Sequence, residues 1–193
     1  MVQASNTYVG RGFKAAYLPY AVGLLTAHAF SDETIKSEYC FKRFIFTREN
    51  TDEAVASLEN PAFVGFSNYI WNTCYNLVLA EKIKKKFPDC VIVFGGHSVS
   101  DRMEFLKHQY IDILTLGEGE EVTANLLLAL KNGENLNSCN GIAFRDENGN
   151  NILTAPHCPE SVENYPSPYL TGVFDSIIEK NPDTMFDTII ETN

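Results

Sequence analysis

The sequence predicts an α/β fold in which about five parallel strands form a doubly wound sheet with helices on both faces, followed by a C-terminal β-hairpin. Three observations predict it. Short β-branched and aromatic runs alternate five times with stretches suited to helix. The central runs, above all Cys90–Phe94, are continuously apolar, as strands covered on both faces are. The connections are long enough to hold a helix, which excludes tight antiparallel turns between successive strands and favours parallel pairing. A chain of 193 residues that is 45% apolar fills one domain and leaves a remainder.

Val2–Ser5 reads as the first strand, followed by a loop with Asn6, Gly10 and Gly12. Leu18, Val22, Leu25 and Ala29 then recur at helical spacing, with Pro19 in a first turn that tolerates it. Phe41–Thr47 is a second strand and Thr51–Leu58 a short helix. After the break at Pro61, Ala62–Tyr69 is a third strand, and Trp71–Phe87 a helix with Leu77, Ala80, Ile83 and Phe87 on one face. Lys82, Lys84, Lys85 and Lys86 suit the negative end of that helix and read as a solvated terminus. Cys90–Phe94 is the fourth strand, Asp101–His108 a short helix and Asp112–Leu116 the fifth strand. Glu120–Leu130 is a helix that Asn132 and Gly133 close. Gly141–Arg145 and Asn151–Thr154 flank a turn-rich tip and read as a hairpin. The predicted architecture is Rossmann-like, of the flavodoxin-like kind, over residues 1–155. Four prolines between Pro156 and Pro168 mark a boundary. Residues 156–193 read as a linker, a turn or two of helix over Phe174–Glu179, and a strand over Phe186–Thr192 in which the chain ends.

A formal net charge of −10 repels phosphate backbones and anionic headgroups, so neither nucleic acid nor a membrane surface is an expected partner. Apolar runs such as Ala21–Leu25 fall short of the roughly 20 residues of a spanning helix, and no signal peptide is visible, so a cytoplasmic protein is expected. Five scattered cysteines without a C-x-x-C read as reduced and mostly structural. The four histidines lack metal-ligand spacing, so no metal held by this chain is expected. Trp71 and Tyr75 read as packing residues. Gly10–Ala15 fits G-x-G-x-x-A at the start of a helix, but Asn6–Val9 separate it from the first strand, where a dinucleotide fingerprint follows its strand directly.

Ligands of an open parallel sheet collect at the carboxyl ends of its strands. Those ends carry Ser5 and Asn6, then Arg48 and Glu49, then Ser67 and Asn68. The fourth carries Gly95, Gly96, His97 and Ser98, and the fifth Gly117, Glu118, Gly119 and Glu120. This rim is small and polar, without paired carboxylates and without a lysine for a phosphate. Gly95-Gly96 either turns the strand or lets a flat ligand reach the backbone, and both readings stand. Gly117–Glu121 alone reads as a helix start with acids on the positive dipole end. No acid, base and nucleophile constellation is present, so the chain by itself is not expected to be catalytic.

Leu18–Leu25, Phe63-Val64-Gly65-Phe66-Ser67, Val91–Ser98 and Leu116-Gly117-Glu118-Gly119-Glu120, in that order and at those strand ends, resemble the N-terminal cobalamin-binding domain of class B radical S-adenosylmethionine proteins. Tyr165–Tyr169 is similar to the linker that precedes the radical domain there, and Glu191-Thr192-Asn193 to the strand end before its C-x-x-x-C-x-x-C loop. The resemblance implies that the corrin lies over the carboxyl edge, with Ser67 hydrogen-bonding it, Gly95, Gly96 and Ser98 admitting it to the backbone, and Gly117, Glu118 and Gly119 lining the other wall. It further implies a partner radical domain, absent here, with a 4Fe-4S cluster and S-adenosylmethionine. Methyl transfer or an anaerobic cyclase-type oxidation would follow. The D-x-H-x-x-G motif whose histidine binds cobalt in mutases does not occur, so cobalamin without a protein histidine ligand is expected. A degenerate scaffold that holds no cofactor and a nucleotide-binding Rossmann domain are the alternatives.

Overall fold

A computed structural model describes residues 1–10, 13–99, 103–159, 161, 163 and 165–189. In chain order, β1 (Val2–Ser5), β2 (Tyr8–Gly10) and β3 (Phe13–Tyr17) precede α1 (Tyr20–Ala29) and α2 (Glu33–Glu38). β4 (Ile45–Thr47), α3 (Thr51–Ala56), β5 (Phe63–Ser67), α4 (Thr73–Lys86) and β6 (Val91–Gly95) follow. A 3-10 turn over Met103–Lys107 leads to β7 (Ile113–Thr115), α5 (Gly119–Asn132), β8 (Ile142–Arg145) and β9 (Asn151–Leu153). The chain then forms α6 (Asp175–Lys180) and β10 (Thr184–Asp187).

The main sheet runs β4-β1-β5-β6-β7-β8-β9. Its first five strands are parallel, and β8 and β9 add an antiparallel hairpin to the β7 edge. The five parallel strands thus stand in the flavodoxin-like order, second, first, third, fourth, fifth. Connections leave β1 in opposite directions, so the switch point lies between β1 and β5.

The pleat sorts side chains by size. On one face, Val64 and Phe66, Ile92 and Phe94, and Leu114 pack under α3 and α4, against Val55, Leu79, Ala80 and Ile83, all buried. Residues of the opposite parity, Val93 and Ile113, face α5 through Val122, Leu126 and Ala129. On that second face the side chains shrink toward the carboxyl ends: Phe63 to Gly65 to Ser67 on β5, Val91 to Val93 to Gly95 on β6, and Ile113 to Thr115 on β7. A groove follows from this taper.

Three sequence expectations need correction. The loop expected after β1 instead holds β2 and β3, antiparallel neighbours with Tyr8 opposite Ala15, and β10 pairs in parallel with β3 to make a separate three-stranded sheet. Gly10 therefore ends a strand and Phe13 begins another, so no helix starts at the glycine fingerprint; Arg11 and Gly12 lie outside the described residues. The short helix expected in the fourth crossover is, in its described part, a 3-10 helix over Met103–Lys107. The terminal strand is Thr184–Asp187, earlier than the expected Phe186–Thr192, and Glu191-Thr192-Asn193 lie outside the described residues. The helix α2 was not expected; Asp32 caps it through Thr34 and Ile35 N–H.

Residues beyond 155 touch the preceding ones at several points. Phe174, 2% exposed, packs with Leu18, Val22 and Phe44. Its ring fills a notch at Gly23, where a Cβ would stand 2.2 Å from Phe174 Cζ. The notch explains a glycine in the middle of α1, which costs the helix up to about 1 kcal/mol. Phe174→Ala is expected to lower stability by about 3–5 kcal/mol, read as a fall in the thermal midpoint. A loss below about 1 kcal/mol would show that the ring's burial does not matter to folding.

Candidate functional site: a crevice at the carboxyl edge of the sheet

The groove is a cavity of about 390 Å³ over the carboxyl ends of β5, β6 and β7, between the sheet, α1 and α5. Gly65, Ser67, Val93, Gly95 and Thr115 form its floor. Tyr20, Leu24 and Leu25 of α1 and Glu120 and Thr123 of α5 form its walls, and Gly96, His97, Gly117 and Glu118 form its mouth. Met1 and Phe63 close its far end, and the same two side chains border a second cavity of about 310 Å³ at the amino edge.

Glycine is required at specific points. A Cβ on Gly95 would stand 2.2 Å from Thr115 Oγ1, and one on Gly96 2.9 Å from the Asn68 nitrogen, with φ at +93°. A Cβ on Gly119 would meet Leu25 Cδ2 at 2.9 Å, so this glycine sets how closely α5 approaches α1. A Cβ on Gly65 would stand 2.7 Å from Met1 Sδ, whose thioether lies over that strand.

Of the residues named from sequence, Ser67, Gly95, Gly96, His97, Gly117, Glu118, Gly119 and Glu120 meet around this one cavity. Ser5 and Asn6 do not; they line a neighbouring cavity of about 290 Å³ together with Tyr8, Tyr17 and Trp71. Asn68 is fully buried and works from beneath, its N–H donating to Gly95 O at 2.7 Å and its carbonyl accepting from Ser98 N at 3.1 Å. Sequence reasoning missed Gly65, Thr115 and Thr123. Gly65 carried a usable signal, since a glycine inside an apolar strand marks a close approach.

Trp71 is not a packing residue. It is 58% exposed and stacks on Tyr69 at 4.5 Å with the rings 8° from parallel, on the ridge between the crevice and the neighbouring cavity. Tyr75 does pack against the core, and burial, with Glu49 nearby, pushes its hydroxyl up to about 12. All five cysteines are free; Cys90 and Cys139 are buried, while Cys40, Cys74 and Cys158 are exposed, so only two of the five serve the core. Among the described residues no three His, Cys, Asp or Glu side chains cluster as metal ligands, and no helix is long and apolar enough to cross a membrane. The crevice lining combines apolar side chains with hydroxyls, glycine backbone, His97 and the carboxylates of Glu118 and Glu120.

One carboxylate ties the segment after β9 to the crevice wall. Glu121 in the first turn of α5 lies 2.7 Å from His157 Nε2 and accepts from Tyr165 Oη at 3.1 Å, and the Tyr165 ring packs on His28 of α1 at 4.7 Å. The His157 hydrogen bond, assisted by that from Tyr165 and opposed by desolvation, holds the Glu121 carboxyl below its ordinary value. Burial pushes the Tyr165 hydroxyl up, with Glu121 adding to it, and burial lowers His28 against the pull of Glu121.

No family model matches the chain. It is 31% identical over 185 residues to 2-(S-pantetheinyl)-carbapenam-3-carboxylate methyltransferase of Streptantibioticus cattleyicolor, covering 92% of this chain and 27% of that protein. It is 32% identical over 168 residues to the cobalamin-dependent radical SAM methyltransferase TokK of Streptomyces tokunonensis, covering 84% of this chain and 24% of that one. The chain belongs to the class B radical S-adenosylmethionine family. Within it the chain corresponds to the B12-binding domain, whose fold is also found in the cobalamin-dependent radical enzyme OxsB. The two superpose with a TM-score of 0.65 at 18% identity, over 86% of this chain and 23% of OxsB. The chain spans about a quarter of the length of the curated relatives it matches.

A carboxylate held below its ordinary value stabilises the docked segment fully above about pH 4.5 and loses that contribution as pH falls through its folded-state value. Limited proteolysis near Tyr165 is therefore expected to accelerate below pH 4.5, and Glu121→Gln to accelerate it already at pH 7. Cleavage that is equally slow in the variant at pH 7 would show that this carboxylate does not hold the segment.

Proposed function

We propose that this chain is the cobalamin-binding module of a radical S-adenosylmethionine methyltransferase. The observation that carries the reading is the crevice at the carboxyl ends of β5, β6 and β7, whose floor and mouth are rich in glycines and hydroxyls. Cobalamin is large, close to neutral and fringed with amides, and it asks for small residues and hydrogen-bonding groups in place of a lysine or arginine cluster. The glycines at 95 and 96, which the packing of Thr115 and Asn68 already requires, also leave that part of the rim without side chains. A cavity of about 390 Å³ lies at the lower end of the range for ligand pockets and suits the narrow nucleotide tail. The ring would be left to the rim, where Tyr69 and the exposed Trp71 form a stacked pair.

In this reading Ser67 hydrogen-bonds the tail, Gly95, Gly96 and Ser98 bring the backbone to it, and the turn from Gly117 to Gly119 forms the opposite wall. The domain supplies no histidine to cobalt, in keeping with the missing D-x-H motif; His97 stands at the mouth as a polar neighbour. When bound, cobalamin supplies a methyl carrier. The substrate radical comes from a 4Fe-4S cluster and S-adenosylmethionine on a separate radical domain, the partner of this module. Methyl transfer is favoured over cyclase-type oxidation because both relatives described above are methyltransferases by name.

Titration of hydroxocobalamin into the purified chain is expected to change the corrin spectrum and to retain the cofactor on gel filtration. Gly96→Val is expected to weaken binding at least about tenfold, because it adds both a clash and backbone strain at positive φ. His97→Ala should leave the spectrum of bound cobalamin unchanged. An unchanged corrin spectrum with the wild-type chain would return the module to a scaffold that holds no cofactor, and a new spectrum in His97→Ala alone would assign cobalt a histidine.

A further inference from the structure

Polar side chains are seldom placed at full burial unless something depends on their position, because every unpaired group there is costly. Asn68, Asn72 and Asn76 are all 0% exposed, side by side at the end of β5 and the start of α4. Asn72 Nδ2 donates to Ala4 O at 3.4 Å and Ser67 O at 3.1 Å, while its Oδ1 accepts from Tyr69 N–H at 2.8 Å. Asn76 Nδ2 reaches Asn72 Oδ1 at 3.1 Å, Asn68 Oδ1 at 3.0 Å and Ser67 O at 3.4 Å. Asn68 Nδ2 donates to Thr73 Oγ1 at 3.2 Å, and that hydroxyl donates to Tyr69 O at 2.8 Å. With the backbone bond from Asn68 to Gly95, the network knots β1, β5, β6 and the first turn of α4 at one point. Asn76 Oδ1 is buried without a partner, so the arrangement is kept at some cost to stability.

The knot carries two things on its solvent side. One is Ser67, whose carbonyl takes amide donors from both Asn72 and Asn76. The other is the turn from Tyr69 to Asn72, which holds the stacked Tyr69–Trp71 pair and is clamped again by the Arg48 guanidinium donating to Trp71 O. Amides buried beneath and a tryptophan exposed above reverse the usual economy of a folded protein. We propose that Asn72 and Asn76 are positioning residues: they fix Ser67 and the Tyr69–Trp71 stack so that the rim of the crevice is ordered before a flat ring settles on it. The ordering of a loop and two large side chains is then not charged against binding. The link to a ring rests on the cobalamin reading, whereas the positioning of Trp71 does not.

Trp71 is the single tryptophan of the chain, so intrinsic fluorescence reports this one place. Asn72→Ala is expected to raise the acrylamide quenching constant of Trp71 about twofold, to lower its anisotropy, and to weaken hydroxocobalamin binding about tenfold. Thr73→Val, a substitution of similar volume that removes only the hydroxyl bonds, should move all three in the same direction by less, and covers the case in which Asn72→Ala does not fold. Leu126→Ala, which opens a cavity under α5, serves as control: it should lower the thermal midpoint and leave Trp71 quenching unchanged. Trp71 fluorescence unmoved by either network variant would overturn the positioning role. If Trp71 moves but cobalamin affinity does not, the mount does not serve binding. If the network variants move Trp71 while the wild-type chain takes up no cobalamin, the functional reading fails and the positioning stands.

Discussion

The two-residue period of the strand pleat is the constraint from which the rest of this structure follows. In β5, β6 and β7 it sends Val64, Phe66, Ile92, Phe94 and Leu114 to one side, where they make a filled core with α3 and α4. It leaves the other side to Gly65, Ser67, Gly95 and Thr115 as the strands approach their carboxyl ends. A one-residue slip of β5 or β6 would exchange the two sets, burying the small residues in the core and blocking the crevice with phenylalanine. Core and cavity are therefore the same pattern read from opposite faces. The stability of the first holds the second open.

The helices over the small face are set by contacts of equal closeness. Gly119 lets α5 approach Leu25 of α1, and Gly23 lets Phe174 press on the outer surface of α1. The segment after β9 thereby reaches the crevice from two directions, through Phe174 behind α1 and through the Glu121 cluster at the start of α5. β10, joined to β3 with Asp187 opposite Tyr17, adds a third tie on the far side of the neighbouring cavity.

The parallel sheet was legible in the sequence because its strands are apolar runs bounded by Gly, Pro or polar turns, and the carboxyl-end rule then named eight residues that meet around one cavity. What sequence hid has physical reasons. β2 and β3 are short and separated by glycine, and although they pair with each other locally, β3 takes its second partner from β10, more than 160 residues away in the chain, a contact that no local pattern announces. Trp71 was read as core because large aromatic residues near an apolar helix usually are, and its exposure follows from a turn whose geometry is dictated by Asn72. Asn72 and Asn76 gave no signal in the sequence, where they are two polar residues at the start of a helix. Only the fold shows that their partners come from β1 and β5.

The far end of the crevice is closed by two residues of unlike mechanical character. Phe63 is a stiff plate with two torsions, set in the sheet at the start of β5. Met1 reaches over Gly65 with an unbranched thioether that can change rotamer at little cost. The depth of the crevice thus has a hard stop on one side and a compliant one on the other. Because both residues also border the amino-edge cavity, any displacement of the methionine lengthens one space at the expense of the other.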